Sequence, residues 1–167
     1  QAYASAYHVP TTLLRFFNVF GPRQRPDHEY AAVLPKWIWL AMQGKPIDVY
    51  GDGTASRDFT YVETVLDIAV TAMKEKVLTE GAMNLAYGNR IFLNDTIEML
   101  KKHFPNLQVN YKENRLGDVK ESQNSPSLLK SLFPTITPKP FEDALAETVV
   151  WLKDFGQSVA NGPKTVD

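Results

Sequence analysis

The sequence has 167 residues, 44% of them hydrophobic and 22% charged, which is the balance of a folded domain with a core and not of a disordered chain. Eighteen basic against nineteen acidic residues leave a net charge of −1, which argues against nucleic-acid binding by bulk charge but leaves room for one local cationic pocket. There is no cysteine, so disulfides, iron–sulfur clusters and thiol nucleophiles are excluded, and His8, His28 and His103 show no metal-ligand spacing.

Residues 1–8 read as the end of a helix, stopped at Val9-Pro10 because a residue before proline avoids the α region. Residues 11–20 (TTLLRFFNVF) are almost continuously apolar, β-branched or aromatic, the pattern of a parallel-sheet strand buried on both faces. Residues 21–27 (GPRQRPD) form a turn-rich loop, and residues 30–43 a helix with a heavy apolar face, ended by Gly44. A short strand over 46–50, a tight turn over 51–56 and a second extended piece over 57–61 follow. Residues 62–75 make a helix with Val65, Ile68, Ala69 and Ala72 on one side. Residues 82–87 form a strand, residues 94–104 a helix capped by Asn94, and residues 108–112 a half-exposed strand. Ser125 caps a short helix whose first residue is Pro126, residues 141–155 form a last amphipathic helix, and residues from 159 onward a loose tail. Strands alternating with helices define an α/β fold. About four short strands against five or six helices are too few for a complete doubly wound sheet.

No apolar run approaches the ~18–20 residues of a membrane span, and no signal peptide is present, so a reducing cytoplasm is the expected compartment. The chain starts at Gln1, without Met, inside what reads as helix, so a piece of a longer protein is expected. Residues 11–20 would then leave an apolar edge uncovered, and the chain by itself is expected to self-associate or to be poorly stable.

The usual phosphate cradles are missing: there is no G-x-G-x-x-G and no G-x-x-x-x-G-K-[ST], and Gly51-Asp52-Gly53 reads as a β-turn because no helix follows it closely. No tyrosine is followed four positions later by lysine; Tyr111 with Arg115 comes nearest. What remains is a scatter of anion-binding groups beside apolar ones. Arg57 (in SRDF) and Arg115 (in RLGDV) are two guanidinium forks able to clamp a diphosphate, and Asp118 suits ribose hydroxyls. Asn18 ends the buried strand, where α/β folds bind ligands. Trp37 offers a face to a flat ring. Each has a plainer alternative: surface pairs of Arg57 with Asp58 and of Arg115 with Asp118, core packing for at least one of Trp37 and Trp39, and a loop-capping role for Asn18.

The segments LRFFNVFGPRQ, YAAVLPKW, VYGDGTASRDFTYV, MNLAYGNRIFLND and RLGDVKES, in this order and spacing, resemble the C-terminal half of extended short-chain dehydrogenases/reductases. More narrowly, they resemble the NAD-dependent nucleotide-sugar epimerase/dehydratase family, with UDP-N-acetylglucosamine and UDP-glucuronate 4-epimerases as the nearest group. The resemblance runs from residue 1 to about residue 155. It implies a substrate-binding portion of an extended Rossmann-type protein with only the last part of the parallel sheet present. Residues 1–20 would end the dinucleotide-binding domain, residues 21–157 would bind the nucleotide sugar, and residues 158–167 would be a tail.

The same resemblance implies the site. Asn18, Arg57 and Arg115 would hold the diphosphate, and Asp118 the ribose. Ala32, Val33, Lys36, Trp37 and Tyr50 would surround the uracil, while Phe16 and Phe17 would pass the nicotinamide end of NAD. No catalytic residue would lie in this chain, because the family's Tyr-x-x-x-Lys pair and cofactor loop belong upstream of residue 1. In the implied reaction the upstream Tyr takes the C4 hydroxyl proton and NAD the C4 hydride; the 4-keto sugar turns, and hydride returns to its other face. NAD as cofactor, a UDP-sugar as substrate, no nucleic-acid or membrane partner, and a homodimeric full-length protein complete the expectation. A decarboxylase or 4,6-dehydratase of the same family, and a nucleotide-binding module without catalysis, are the alternatives.

Overall fold

A computed structural model describes residues 2–26, 32–115 and 117–160. The elements run α1 (Ala2–Tyr7), β1 (Leu13–Phe16), β2 (Val19–Phe20), α2 (Val33–Met42), β3 (Ile47–Tyr50), β4 (Ser56–Arg57), β5 (Thr60–Tyr61), α3 (Val62–Glu75), β6 (Ala82–Leu85), β7 (Ile91–Phe92), α4 (Leu93–His103), β8 (Val109–Lys112), β9 (Glu121–Ser122), α5 (Ser127–Leu132) and α6 (Phe141–Ala160). The expected α/β class holds. The strands among the described residues are more numerous and shorter than the four expected, and they group into small sheets. β1 pairs with β6, β2 with β5 and β3 with β8, all parallel; β4 lies between antiparallel β7 and parallel β9.

Two hydrophobic clusters hold these pieces together. One packs Trp37 and Ile38 of α2 with Ile47 and Val49 of β3, Ile97 and Leu100 of α4, and Leu145, Val149 and Leu152 of α6. The other packs Val65, Ile68 and Ala72 of α3 with Met83 and Leu85 of β6 and with Leu129 and Phe133 around α5, and Leu14 of β1 lies against it. α3 carries its apolar residues at the i, i+3, i+7 spacing that puts them on one face.

Several expectations are corrected. The segment 11–20 is two strands, because Asn18 has φ 37°, a left-handed backbone that a strand does not pass through. Nor is it buried on both faces: Leu13 and Leu14 are half-buried, Arg15 is exposed, and Phe16 is 60% exposed. The extended piece 57–61 divides between β4 and β5, which belong to different sheets. α4 is capped by Phe92, one residue before the helix starts at Leu93. Asn94 is inside the first turn, where its amide donates to the Asp52 carbonyl and its Oδ1 accepts from the Tyr111 hydroxyl. α5 starts at Ser127 with Pro126 as its cap, one residue later than expected. β8 is largely exposed and not half-buried. α6 continues to Ala160, past the expected start of the tail. The expected helix start at Tyr30 and Ala31 lies outside the described residues, as do Asp27 and the tail from 161.

One polar cluster ties the start of α3 to α6 and the segment before it. The buried Tyr61 hydroxyl donates to Glu147 Oε2 at 2.7 Å, and Lys139 Nζ reaches Glu147 at 2.7 Å and Glu63 at 2.9 Å while lying 5.0 Å over the Tyr61 ring. Lys139 holds the Glu147 carboxyl below its ordinary value of 4.5, with Tyr61 helping, and Glu147 and Glu63 raise Lys139 above its ordinary 10.5. A lowered carboxyl contributes stability above its unfolded pKa and loses it as pH falls; a raised ammonium contributes below its unfolded pKa and loses it as pH rises. The cluster is therefore fully engaged between pH 4.5 and 10.5 and fades on both sides. Glu147→Gln is expected to lower the melting temperature near neutrality and to flatten its fall below pH 4.5, as thermal unfolding across pH would show.

Candidate functional site

A cavity of about 400 Å3 opens between α2, β3 and the loop after β8. α2 supplies Val33, Lys36, Trp37 and Leu40, whose i, i+3, i+4, i+7 spacing puts them on one helix face. β3 supplies Asp48 and Tyr50, while the alternate residues Ile47 and Val49 are buried in the core. Arg57 enters from β4, Leu93 from the start of α4, and Arg115 and Asp118 from the loop. A smaller adjoining cavity of about 240 Å3 shares Val33 and Arg57 and adds Asn18 and Ala32.

The side chains are anchored in specific ways. Trp37 is only 3% exposed, and its indole N–H donates to the Asp48 carbonyl at 3.2 Å. It is therefore core and cavity wall at once. Arg57 donates through Nη1 to the carbonyls of Ser56 at 2.9 Å and Val119 at 2.6 Å, and through Nη2 to Asp118 Oδ1 at 3.0 Å. The Arg115 guanidinium lies 3.7 Å over the Tyr50 ring, a cation–π contact. Asp48 pairs with Lys112 Nζ at 2.6 Å, and that hydrogen bond holds its carboxyl below the ordinary 3.8.

Both surface-pair alternatives fail. Arg57 pairs with Asp118 and not with its neighbour Asp58, which is fully buried. Arg115 meets Asp118 through the backbone, whose N–H bonds to the Arg115 carbonyl at 3.1 Å. Gly51-Asp52-Gly53 is the expected turn: Gly51 and Gly53 have φ 82° and 76°, and Asp52 Oδ1 accepts the Thr54 N–H at 2.9 Å.

Asn18 Nδ2 donates to the Asp58 carbonyl at 3.3 Å and to Ser122 Oγ at 3.4 Å, which is the loop-tying role offered as its plainer alternative. The same residue also lines the adjoining cavity. Phe16 and the half-buried Phe17 line neither cavity.

Sequence reasoning missed Leu40, Asp48, Leu93 and Asp58. Leu40 carries a signal, one turn beyond Trp37 on the same helix face, and so does Asp48, two residues before Tyr50 in a strand. Leu93 carries none. Asp58 shows only as the neighbour of Arg57, with which it reads as a surface pair.

The cavity is lined by aromatic and aliphatic groups (Trp37, Tyr50, Leu40, Leu93) together with two guanidinium groups. That suits a flat ring joined to a polyanion, and the size lies at the lower end of the ~300–1,000 Å3 usual for ligand sites. Fold and cavity together define an α/β protein with a cavity lined by aromatic, aliphatic and cationic side chains.

The pattern of the NAD dependent epimerase/dehydratase family matches residues 1–86, and the chain belongs to this family. A probable UDP-glucuronate 4-epimerase of Rhizobium meliloti is 31% identical over 170 residues, covering 90% of this chain and 49% of that protein. A UDP-N-acetyl-α-D-glucosaminuronate decarboxylase of Bacillus cytotoxicus is 46% identical over 69 residues, 41% of this chain and 21% of that protein. The solved UDP-N-acetylglucosamine 4-epimerase of Methanobrevibacter ruminantium, in complex with UDP-N-acetylmuramic acid, superposes with a TM-score of 0.82 at 33% identity, over 92% of this chain and 49% of that one. The chain spans about half the length, or less, of the curated relatives it matches.

Proposed function

We propose that this chain is the nucleotide-sugar-binding portion of an NAD-dependent UDP-sugar 4-epimerase. The observation that carries the reading is the single cavity in which Val33, Lys36, Trp37, Tyr50, Arg57, Arg115 and Asp118 converge from four separate stretches of sequence. Trp37, Val33, Lys36 and Tyr50 surround the uracil, with Ala32 beside them. Arg57 and Arg115 grip the diphosphate, Asn18 supports that grip from the adjoining cavity, and Asp118 takes the ribose hydroxyls once Arg57 turns to phosphate. Arg115 leaves the Tyr50 face when the anion arrives, since a charge-assisted fork on phosphate outweighs a ~0.5–1 kcal/mol exposed cation–π contact.

NAD would supply a reversible hydride acceptor at the sugar C4. This chain offers that ring the exposed Phe16 and its neighbour Phe17. It has no glycine-rich phosphate loop of its own. The chain's own share of the chemistry is a tight hold on the diphosphate, about which the hexose turns.

A decarboxylase is the second reading, favoured by the 46% identity to the Bacillus cytotoxicus enzyme over 69 residues. The full-length protein carrying this chain, incubated with NAD and UDP-glucuronate and followed by proton NMR of the sugar, separates the two. UDP-galacturonate with the carboxylate retained is the expected product, and a UDP-pentose with release of CO2 would assign the decarboxylase.

A further inference from the structure

We infer that Asp58 is a positioning residue that sets the diphosphate grip, an inference that rests on the proposed nucleotide site. Asp58 is fully buried, yet no cationic side chain meets its carboxylate in the described structure. It is held by backbone N–H groups from two loops: Gly88 at 2.9 Å and Asn124 at 3.2 Å on Oδ2, and Asn89 at 3.0 Å on Oδ1. Burial pushes its pKa above the ordinary 3.8, while the N–H donors from Asn124, Asn89 and Gly88 work against that shift.

This anchor sits between the two groups that reach the phosphate end. Arg57 is the preceding residue. The Asp58 carbonyl accepts the Asn18 amide, and the Thr60 N–H bonds back to the Asn18 carbonyl at 3.3 Å. Asn124 lies two residues beyond β9, the strand that pairs with β4 and whose approach carries Val119 and Asp118 against the Arg57 guanidinium. One carboxylate thus pins the loop after β6, the loop after β9 and the turn between β4 and β5 to a common point. It touches no part of the cavity, so it acts through Arg57 and Asn18.

Asp58→Asn keeps the size but aims an amide N–H2 at backbone donors. A merely structural Asp58 would change the affinities for UDP and for uridine by the same factor. A positioning role changes only what the phosphates contribute. The test is calorimetric titration of the full-length protein carrying this chain with UDP and with uridine. Asp58→Asn is expected to lower UDP affinity about tenfold with uridine affinity unchanged, the size of one lost charge-assisted hydrogen bond. If Asp58→Asn does not fold, Asn124→Pro removes one donor and leaves the carboxylate, with an expected loss of about threefold in the UDP-to-uridine ratio. An unchanged ratio in the folded variant overturns the inference while the nucleotide site stands. An unmodified full-length protein that does not prefer UDP over uridine overturns the site reading and the inference with it.

Discussion

Arg57→Ala is expected to weaken UDP binding about 10- to 100-fold while leaving the fold intact, since hydrogen bonds to charged groups are worth about 1.5–3 kcal/mol. In the present structure this guanidinium is 16% exposed and already spends its donors on two carbonyls and on Asp118. A fork so held is pre-organised, so little side-chain entropy is lost when phosphate replaces Asp118. Alanine removes the fork and leaves Asp118 facing the incoming anion, so repulsion adds to the loss. Arg57→Lys keeps the charge without the fork and should fall between the two. Titration calorimetry with UDP reads the effect, and circular dichroism checks the fold.

Trp37→Ala is the most damaging single change for stability, at about 3–5 kcal/mol, the range for deleting a buried aromatic side chain. The indole packs in the cluster that includes Ile38, Ile47 and Leu152, so its removal leaves a hole that rigid neighbours do not fill. It also strips the Asp48 carbonyl of its partner. Trp37→Phe restores most of the volume but not the N–H, and about 1–2 kcal/mol of loss is expected to remain. Urea unfolding of both variants measures the difference. Because one residue serves core and cavity wall, UDP affinity and stability should fall together here, whereas for Arg57 they separate.

What the sequence shows and what it hides follow from the range of the interactions. α3 is legible with its bounds because its apolar residues recur at helical spacing and nothing distant competes. The face of α2 toward the cavity is legible for the same reason. The break at Asn18 is hidden, because an apolar run does not report that one backbone turns left-handed. Asn94 has the composition of a helix cap, yet its side chain is taken by Asp52 and Tyr111. The partner of Arg57 lies 61 residues along the chain, so spacing alone pointed to the adjacent Asp58. Composition and spacing therefore reached two candidate anion-binding arginines. Asp118 came from the same reading and Lys36 and Tyr50 from the family resemblance, and the structure puts all three on one cavity with the arginines.

The central claim is that the cavity beside Trp37 takes the uridine diphosphate. The sequence has three tryptophans, so a 15N-labelled chain should show three indole N–H signals. Trp39 and Trp151 lie around Phe155, away from the cavity that Trp37 lines. Titration with UDP is expected to move the Trp37 indole signal together with the amides of Tyr50, Arg57 and Asp118, while the other two indole signals stay in place. Saturating UDP that leaves the Trp37 signal unmoved, or that shifts Trp39 and Trp151 instead, would contradict the account.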